Sequence, residues 1–600
     1  MFWMVNDMCG IVGYIGTKDA REIIFNGLKK LEYRGYDSAG VALLNKNKIE
    51  IYKDKGRVNH LEEITDFSFN TNFGIGHTRW ATHGKPNMIN SHPHFSNNKR
   101  FVVVHNGVIE NYKKLKIEKL ADYDFYSETD TEVIANLIEH YSSDMSTIDA
   151  IRKTASILEG SYALLVMDMM DLDTLYVAKN KTPLLIGKSE HGITVASDSM
   201  ALVGYADSYM YLNDLRFAII KKDRVILKDI LGFDLDFDMQ DLKLTNLDIA
   251  KGNYEHYMLK EIDEQPGVIR NLIDKYFVDE EVNIDSEILS KIRLADRIYI
   301  VACGTSLYAG TVSKYFFERL CKIPVELCIA SEVAYNMPLL SKNPYFIFIS
   351  QSGETADCIT VLKKCKKRNL HTLAITNSLN SSIDHLADDV LHIFAGKEIA
   401  VASTKAYIAQ IVVLSIIAKG VANNRKTNLK NNLSKVALAI EDVFNNKNLI
   451  KEVAKKIVNA KDAFYIGRGI DYYVCQEAAL KLKEISYIHT EGYASGELKH
   501  GSIALIEEGT PVIAICTNEE TNMITRSNLI ETVSRGALGI VISTESLSQT
   551  SDDIVISDVA SYLTPLVSIV VCQLIAYYVS VLKGNDVDKP KNLAKSVTVE

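Results

Sequence analysis

The hydrophobic pattern of this 600-residue chain changes character twice. From Cys9 to about Lys228, short β-rich runs (IVGYIG, GVALL, FVVVHNG, SYALLVMD, ITVAS) alternate with polar turns and leave little room for helices. Such runs predict stacked antiparallel sheets with some helices. From Gly252 to about Ser290 the text becomes charged and helix-periodic, as in NYEHYMLKEIDEQPGVIRNLI, which suits a connecting region. Beyond it, hydrophobic strands alternate with helical patterns, the signature of a parallel α/β sheet.

This last part repeats itself. RIYIVACGTS at 297–306 resembles AFYIGRGID at 463–471, with Gly304 opposite Gly469. FIFISQSGET at 346–355 matches VIAICTNEET at 512–521, and LAITNS at 373–378 matches IVISTE at 540–545. Any two buried strands look alike, but three pairs in order at one nearly constant offset predict two copies of one α/β domain. Downstream, the charge-free run from Val559 to Leu582 has about the length of a membrane span. It carries Pro565, Gln573, three serines and three tyrosines and has no second span to pack with, so a buried helix is expected.

Composition narrows the class. With 67 Lys+Arg against 76 Asp+Glu, a net charge of −9 and 47% hydrophobic residues, the chain is neither disordered, collagenous nor a coiled coil. The length asks for three or four domains. A modestly acidic balance offers no footprint for nucleic acid or an anionic membrane, so neither is expected as a partner and any bound anion must be held locally. Nine scattered cysteines without a CxxC pair read as reduced thiols of a cytoplasmic protein, with no metal cage. The first eight residues have no basic n-region and are too short for an apolar h-region, so they are not a secretory leader.

In open parallel sheets ligands bind where strands lead into helices, whose N-terminal N–H groups favour anions. Copy one has CGTS (303–306) and SQSGET (350–355) there, rich in hydroxyls and glycine. Such loops can wrap a phosphate without net positive charge. Copy two has GRGI and CTNEET instead, where Glu519 and Glu520 would repel one. The phosphate is therefore expected at Thr305, Ser306, Ser350, Gln351, Ser352 and Thr355.

Cys9 would become a free amino-terminal residue if everything through Met8 were removed, carrying a thiol and an α-amine that both titrate near neutral pH. HTRWATHG (77–84) places Arg79 and His83 in a polar turn, and HNG (105–107) ends the strand FVVV at a sharp bend. The Asn106 amide beside the Gly107 N–H is the donor pair an oxyanion hole needs. Arg79 could grip an α-carboxylate and Asp130 an α-ammonium, together specifying an amino acid. Singly, Arg79 could be a surface ion pair, Asn106 a turn former and Asp130 a helix cap.

MCGIVGYIG, YRGYDSAG, HTRWATHG, VVHNGVIENY and SETDTEVIA resemble class II, N-terminal-nucleophile glutamine amidotransferases. SQSGETAD, VASTKAY, LKLKEISYIHTEGYASGELKHG and NLAKSVTVE resemble the sugar isomerase domain pair. Both halves in this order resemble the glutamine:fructose-6-phosphate aminotransferase (isomerising) family, over nearly all of Cys9 to Glu600. The resemblance implies an α/β multidomain chain: an αββα amidotransferase sandwich followed by two doubly wound parallel sugar isomerase domains. Boundaries follow at 1–8 (extension or propeptide), 9–228, 229–287 (linker), 288–428, 454–590 and 591–600 (active-site tail). Implied substrates are L-glutamine and D-fructose 6-phosphate, implied products L-glutamate and D-glucosamine 6-phosphate, opening hexosamine biosynthesis; a homodimer is implied, and no cofactor.

By the same resemblance Cys9 attacks glutamine, Asn106 and Gly107 hold the oxyanion, and Arg79, Thr82, His83 and Asp130 bind the amino acid. Trp80 gates the released ammonia. His500 opens the sugar ring, Lys595 forms a Schiff base with C2, and Glu484 moves the proton between C1 and C2. Val401, Ser403 and Ala594 match substrate contacts, while Glu477 and Lys481 lie at helical spacing from Glu484, as a solvated salt-bridge face also would. Two positions depart from the family pattern: Lys591 stands where arginine is expected and Ser502 where proline is common. Two rivals remain to be weighed, another Cys-first amidotransferase acting on phosphoribosyl pyrophosphate and a non-catalytic sugar-phosphate-binding regulator. The duplicated isomerase half and Lys595 oppose the first; the joint presence of Cys9, His500, Glu484 and Lys595 opposes the second.

Overall fold

The computed structural model describes residues 9–32, 37–66, 68–80, 84–242, 251–422 and 428–596. They fall into two compact units, residues 1–250 with 596–600, and Lys251–Lys595.

In the first unit an eight-stranded and a seven-stranded sheet, both antiparallel, enclose one core. The strand Gly10–Gly16 lies between Gly192–Ala196 and Phe73–Arg79 in the larger sheet. Alternation sorts its side chains: Ile11 and Ile15 enter the core with Ile75 of their own sheet and Val102, Val104 and Leu165 of the other. The sheets meet so closely at Gly13 that a Cβ there would lie 2.6 Å from Leu165 Cδ1. On the opposite face Val12 lies against Gly27 of the helix Ala20–Leu31. The outer face of the second sheet, with Phe101, Val103, Leu164 and Val166, is covered by the helices Thr131–Tyr141 and Thr147–Ala155. The layers are thus α, β, β, α. Cys9 precedes a central strand, and Asn106 and Gly107 lie within the strand Phe101–Ile109. The expected end of that strand at HNG is not found, because Gly107 adopts φ +138° and still pairs with Tyr162.

In the second unit two five-stranded parallel sheets have one strand order. The first runs Val325–Ile329, Arg297–Ala302, Pro344–Ser350, His371–Thr376, Asp389–His392; the second runs His489–Ala494, Asp462–Gly467, Pro511–Cys516, Leu538–Thr544, Ile554–Ile556. The three strand pairs visible in the sequence are the second, third and fourth members of each sheet. One core spans both sheets, with Ile298 and Ile300 of the first and Ile513 and Ile515 of the second.

Two helices, Lys405–Ala422 and Thr564–Leu582, run through that core. Both lie in described segments long and apolar enough to cross a membrane, at mean hydropathy 1.5 and 2.0, yet 83% and 89% of their apolar windows are buried within the protein. The segment read as a linker, 229–287, divides instead between the units. Asp234–Leu235 and Gln240–Asp241 add edge strands to the two sheets of the first unit. The helices Tyr257–Asp263 and Gln265–Tyr276 bury Met258, Ile262, Ile269 and Leu272 in the core of the second. The charged text there marked the outward faces of helices whose apolar stripe is fully used.

Since Ile569 is fully buried in that core, Ile569→Ala is expected to cost about 2–5 kcal/mol. Denaturant unfolding followed through the second unit measures it; a loss under about 0.5 kcal/mol would show the helix to be peripheral.

Candidate active sites

Around Cys9 the chain converges from three strands. The thiol accepts a hydrogen bond from the Trp80 N–H at 3.2 Å, just past the strand Phe73–Arg79. Asn106 Nδ2 donates to the Cys9 carbonyl at 3.0 Å, so the amide lies beside the cysteine backbone. Gly107 follows, where a Cβ would come within 2.1 Å of the Ser161 carbonyl; only glycine fits. Cys9, Arg79, Trp80, His92, His105, Gly107, Thr129, Asp130 and Thr131 line one cavity. Arg79 is buried, which excludes a surface ion pair, and Asn106 sits in a strand, not a turn. Asp130 makes no side-chain cap; it accepts the Ile109 N–H at 2.8 Å. A carboxylate, a guanidinium, a thiol and an amide donor in one buried cavity can bind a zwitterion and attack its side chain. Thr82 and His83 lie outside the described residues, as do residues 1–8.

A feature of this cavity unseen in the sequence is a stack of buried histidines. His77 and His92 stack at 4.1 Å between ring centroids, with His94 and His105 at 5.0 and 6.4 Å from His92. The His105 N–H donates to His92 Nδ1 at 3.3 Å, fixing that nitrogen as the acceptor. Thr131 Oγ1 lies 3.1 Å from His92 Nε2 and 3.0 Å from His105 Nδ1, so one hydroxyl on the helix Thr131–Tyr141 ties two rings. Burial, then Arg79 and His105, push His77 down to about 3. Burial likewise holds His92 and His94 well below the usual imidazole range. Three of the four rings are thus held toward the neutral form. Only His77 and His105 fell inside motifs quoted from the sequence; His92 and His94 carried no signal besides a HPH tripeptide.

In the second unit the helix Ile470–Ser486 presents Glu477, Lys481 and Glu484 on one face. Lys481 Nζ lies 2.6 Å from Glu484 Oε2 and 3.4 Å from Glu477 Oε1. It also donates to Thr305 Oγ1 at 3.0 Å, which donates to Glu477 at 3.2 Å. The Lys481 side chain is 1% exposed and Glu477 fully buried, so the solvated salt-bridge alternative is excluded. Burial would lower Lys481, but Glu477 and Glu484 outweigh it and hold the ammonium above its ordinary range. Burial, opposed by Lys481, pushes Glu477 up to about 8.

The phosphate-loop candidates lie at strand–helix junctions of the first sheet. Ser350 ends the strand Pro344–Ser350, and its hydroxyl lies 2.8 Å from Thr355 Oγ1 and accepts the Gly353 N–H at 3.0 Å. Ser352 Oγ accepts the Glu354 N–H, and Gln351 is half-buried. Ser306, in the first turn of the helix Gly304–Phe316, accepts from Gln410 Nε2 at 3.0 Å.

Copy two closes the corresponding place from within. Opposite Ser306 stands Asp471, fully buried, whose carboxylate accepts the Thr517 N–H at 3.0 Å and the Thr517 hydroxyl at 2.5 Å. The chain's own carboxyl thus fills that place, and burial pushes it up to about 7. Glu519 and Glu520, the acidic residues of that loop, are both exposed.

Lys595 reaches this unit from the tail. Its Nζ lies 2.5 Å from Glu398 Oε2 and donates to the Ala400 carbonyl at 2.9 Å, with the side chain 5% exposed. Glu398 also accepts from Ser403 Oγ at 2.8 Å and from the N–H groups of Thr404 and Ala406 at 2.9 and 3.0 Å. Burial would raise Glu398, but the Lys595 charge and these donors bring it down to about 2. Val401 is buried beside this segment, its N–H donated to the Asp588 carbonyl. Ala594 is half-buried next to Lys595. His500 is not brought to this cluster: it stands exposed at the end of the turn Glu497–His500 and bonds to none of these residues. Lys591, in the tail, lies over the Tyr487 ring at 4.3 Å, so the lysine standing for the expected arginine keeps a cation–π contact. Ser502 donates to Tyr493 Oη at 2.7 Å. Glu398 was missed because its motif, AGKEIAVAST, reads as an ordinary polar loop.

Fold and sites together define a glutamine amidotransferase domain joined to a pair of sugar isomerase domains. A family profile described as a glutamine amidotransferase domain matches residues 77–204, and one described as the SIS domain matches 291–419 and 456–583. A glutamine–fructose-6-phosphate aminotransferase (isomerizing) of Listeria innocua is 51% identical, over 99% of this chain and 100% of its own length. One of Geobacillus kaustophilus is 52% identical over the same shares. Among solved structures, the C-terminal domain of glucosamine-fructose-6-phosphate aminotransferase from Francisella tularensis matches with TM-score 0.55 and 36% identity, covering 57% of this chain and 99% of that one. The chain belongs to the glutamine–fructose-6-phosphate aminotransferase (isomerizing) family.

The histidine stack makes the first unit acid-sensitive. His77, His92 and His94 bind protons at about pH 6.5 when unfolded but only well below that when folded. Stability is therefore full above about pH 6.5 and falls as pH drops below it. His94→Asn is expected to reduce proton uptake on unfolding at pH 5.5 by about one. Denaturant unfolding of the first unit between pH 7 and 5 measures this; an unchanged slope would contradict a neutral His94.

Proposed function

We propose that this chain is an enzyme that converts D-fructose 6-phosphate and L-glutamine into D-glucosamine 6-phosphate and L-glutamate, opening hexosamine biosynthesis. The observation that carries the reading is identity of about half the residues along whole relatives of that name, with a buried amine, acid and thiol standing at the family's motifs. In the glutamine half, the Cys9 sulfur attacks the side-chain amide carbon. The oxyanion rests on Asn106 Nδ2 and the Gly107 N–H, ammonia leaves, and water hydrolyses the thioester to glutamate. Arg79, with Thr82 and His83, holds the glutamine carboxylate and Asp130 its ammonium. For the α-amine of Cys9 to relay protons it must be free, which requires removal of residues 1–8.

Ammonia released into water at neutral pH would be protonated and lost as a nucleophile, so it is handed on without release, with Trp80 as the gate. In the sugar half the phosphate sits in the loops of copy one, at Thr305, Ser306, Ser350, Gln351, Ser352 and Thr355. His500 opens the ring, and its exposed position means that assembly or closure must bring it to the sugar. The Lys595 nitrogen then adds to C2 and water leaves, giving an imine. Lys595 must lose its ammonium proton first, and Glu398 holds the nitrogen in place through their ion pair. Ammonia displaces the lysine from C2, and Glu484 moves a proton from C1 to C2. Lys481 holds Glu484 in place for that step through their ion pair, with Val401, Ser403, Glu477 and Ala594 completing the pocket. The working form is a cytoplasmic homodimer. A non-catalytic regulator would have no use for a buried thiol, a paired imine lysine and a proton-transfer glutamate together.

Purified protein is expected to yield glucosamine 6-phosphate and glutamate in equal amounts; glutaminase activity without amino sugar would overturn the reading. Cys9→Ala should lower glutamine use by at least about 10³-fold while leaving some ammonia-dependent or isomerase activity, and Lys595→Ala should stop the sugar chemistry. Equal loss of both activities in both variants would contradict the division of labour.

A further inference from the structure

The helix Tyr257–Asp263 sits in the segment that looked like a linker, yet it carries a fully enclosed carboxyl group. Glu261 is 2% exposed, and nothing in the chemistry above uses it. Its Oε1 accepts the N–H groups of Ile399 and Ala400, the latter at 3.2 Å, while Oε2 has no hydrogen-bond partner. The two N–H groups belong to the segment that serves Lys595: Glu398 on one side supplies the carboxylate, and the Ala400 carbonyl the second acceptor.

The same helix is fixed to the tail. Asp588 accepts the N–H groups of Tyr257 and Met258 at 2.9 and 2.8 Å through its two carboxylate oxygens. Its backbone carbonyl accepts the Val401 N–H at 2.9 Å. Helix, segment 398–401 and tail are therefore locked together through Glu261 and Asp588. Glu264, one residue beyond the helix, holds Lys405 at 2.6 Å and so fixes the far end of the same segment.

We propose that Glu261 is a positioning residue for Lys595: by holding the N–H groups of Ile399 and Ala400 it fixes the segment whose Glu398 carboxylate and Ala400 carbonyl aim the lysine amine at the sugar C2. The proposal rests on the reading of Lys595 as the imine lysine. Burial and the nearby Glu398, opposed by Lys595 and Lys405, push the Glu261 carboxyl up to about 8. Glu261 therefore holds a proton more readily than Glu398 does, while its Oε1 accepts the two N–H groups. It leaves Glu398 as the anion paired with Lys595. A glutamine side chain reproduces the accepting oxygen; a leucine fills the space and orphans both N–H groups.

The test is borohydride trapping of the full-length protein with fructose 6-phosphate, the adduct located by peptide mass spectrometry, beside steady-state kinetics. Glu261→Leu should lower both the trapped Lys595 adduct and the kcat for amino sugar by about 30-fold or more, since small displacements of a reacting group are that costly. The KM for fructose 6-phosphate, set by the phosphate loops, and glutaminase activity should change less than about threefold. Glu261→Gln should stay within about threefold of the parent protein. If Glu261→Leu gives no folded protein, Glu261→Ala takes its place, with folding checked by the intact glutaminase activity and near-ultraviolet circular dichroism. A parent-level adduct in the Leu or Ala variant, or a Gln variant as impaired as Leu, overturns the proposal. Failure of the parent protein itself to trap at Lys595 overturns the reading of Lys595 instead.

Discussion

A lysine ammonium cannot be taken out of water alone, and the burial of Lys595 against Glu398 is the constraint around which the second unit is arranged. The carboxylate carries its own requirement, met by Ser403 and by the N–H groups of Thr404 and Ala406, which open the helix Lys405–Ala422. One ion pair thus joins the tail to an apolar helix in the middle of the core. Removing either partner would leave an uncompensated buried charge, a larger loss than the pair's own net contribution. The same pairing fixes where the Lys595 nitrogen stands.

The two copies of the sheet share a strand order but differ at their strand–helix junctions. Both copies end the corresponding strands in tight turns and begin helices there, so each offers N–H groups to an anion. In copy one those places hold Ser306, Ser350 and Thr355; in copy two the buried Asp471 satisfies the Thr517 N–H and hydroxyl internally. The long helix of copy two contributes differently, turning Glu477, Lys481 and Glu484 toward Thr305 of copy one. One copy thus keeps hydroxyl-rich loops at its strand ends, and the other contributes a buried charged cluster from its long helix.

Much of this was legible in the chain. Period-2 runs before Lys228 are the strands of two stacked sheets, and the repeat marks three of the five strand pairs. The missed pairs, Val325–Ile329 with His489–Ala494 and Asp389–His392 with Ile554–Ile556, lie at the sheet edges, where burial imposes less likeness. Glu477, Lys481 and Glu484 could be placed on one face by spacing, but only packing shows that the face is dry. Glu398 and Glu261 were invisible because their partners are backbone N–H groups and a lysine almost two hundred residues away, a pairing that local pattern cannot encode. His92 and His94 were hidden for the same reason, since a histidine's neutrality comes from its enclosure. The segment 229–287 misled because a charged helix with a narrow apolar stripe reads as a connector until the core that receives the stripe is seen.

One buried amine, paired with Glu398, is expected to meet a sugar whose phosphate is held by copy one. A crystal structure of the full-length protein with fructose 6-phosphate tests it most directly. The phosphate is expected among Ser350, Ser352 and Thr355, with the Lys595 nitrogen joined to C2 of the opened sugar. A phosphate seated in the loops of copy two, or an intact sugar with Lys595 still locked to Glu398 and out of reach of C2, would contradict it.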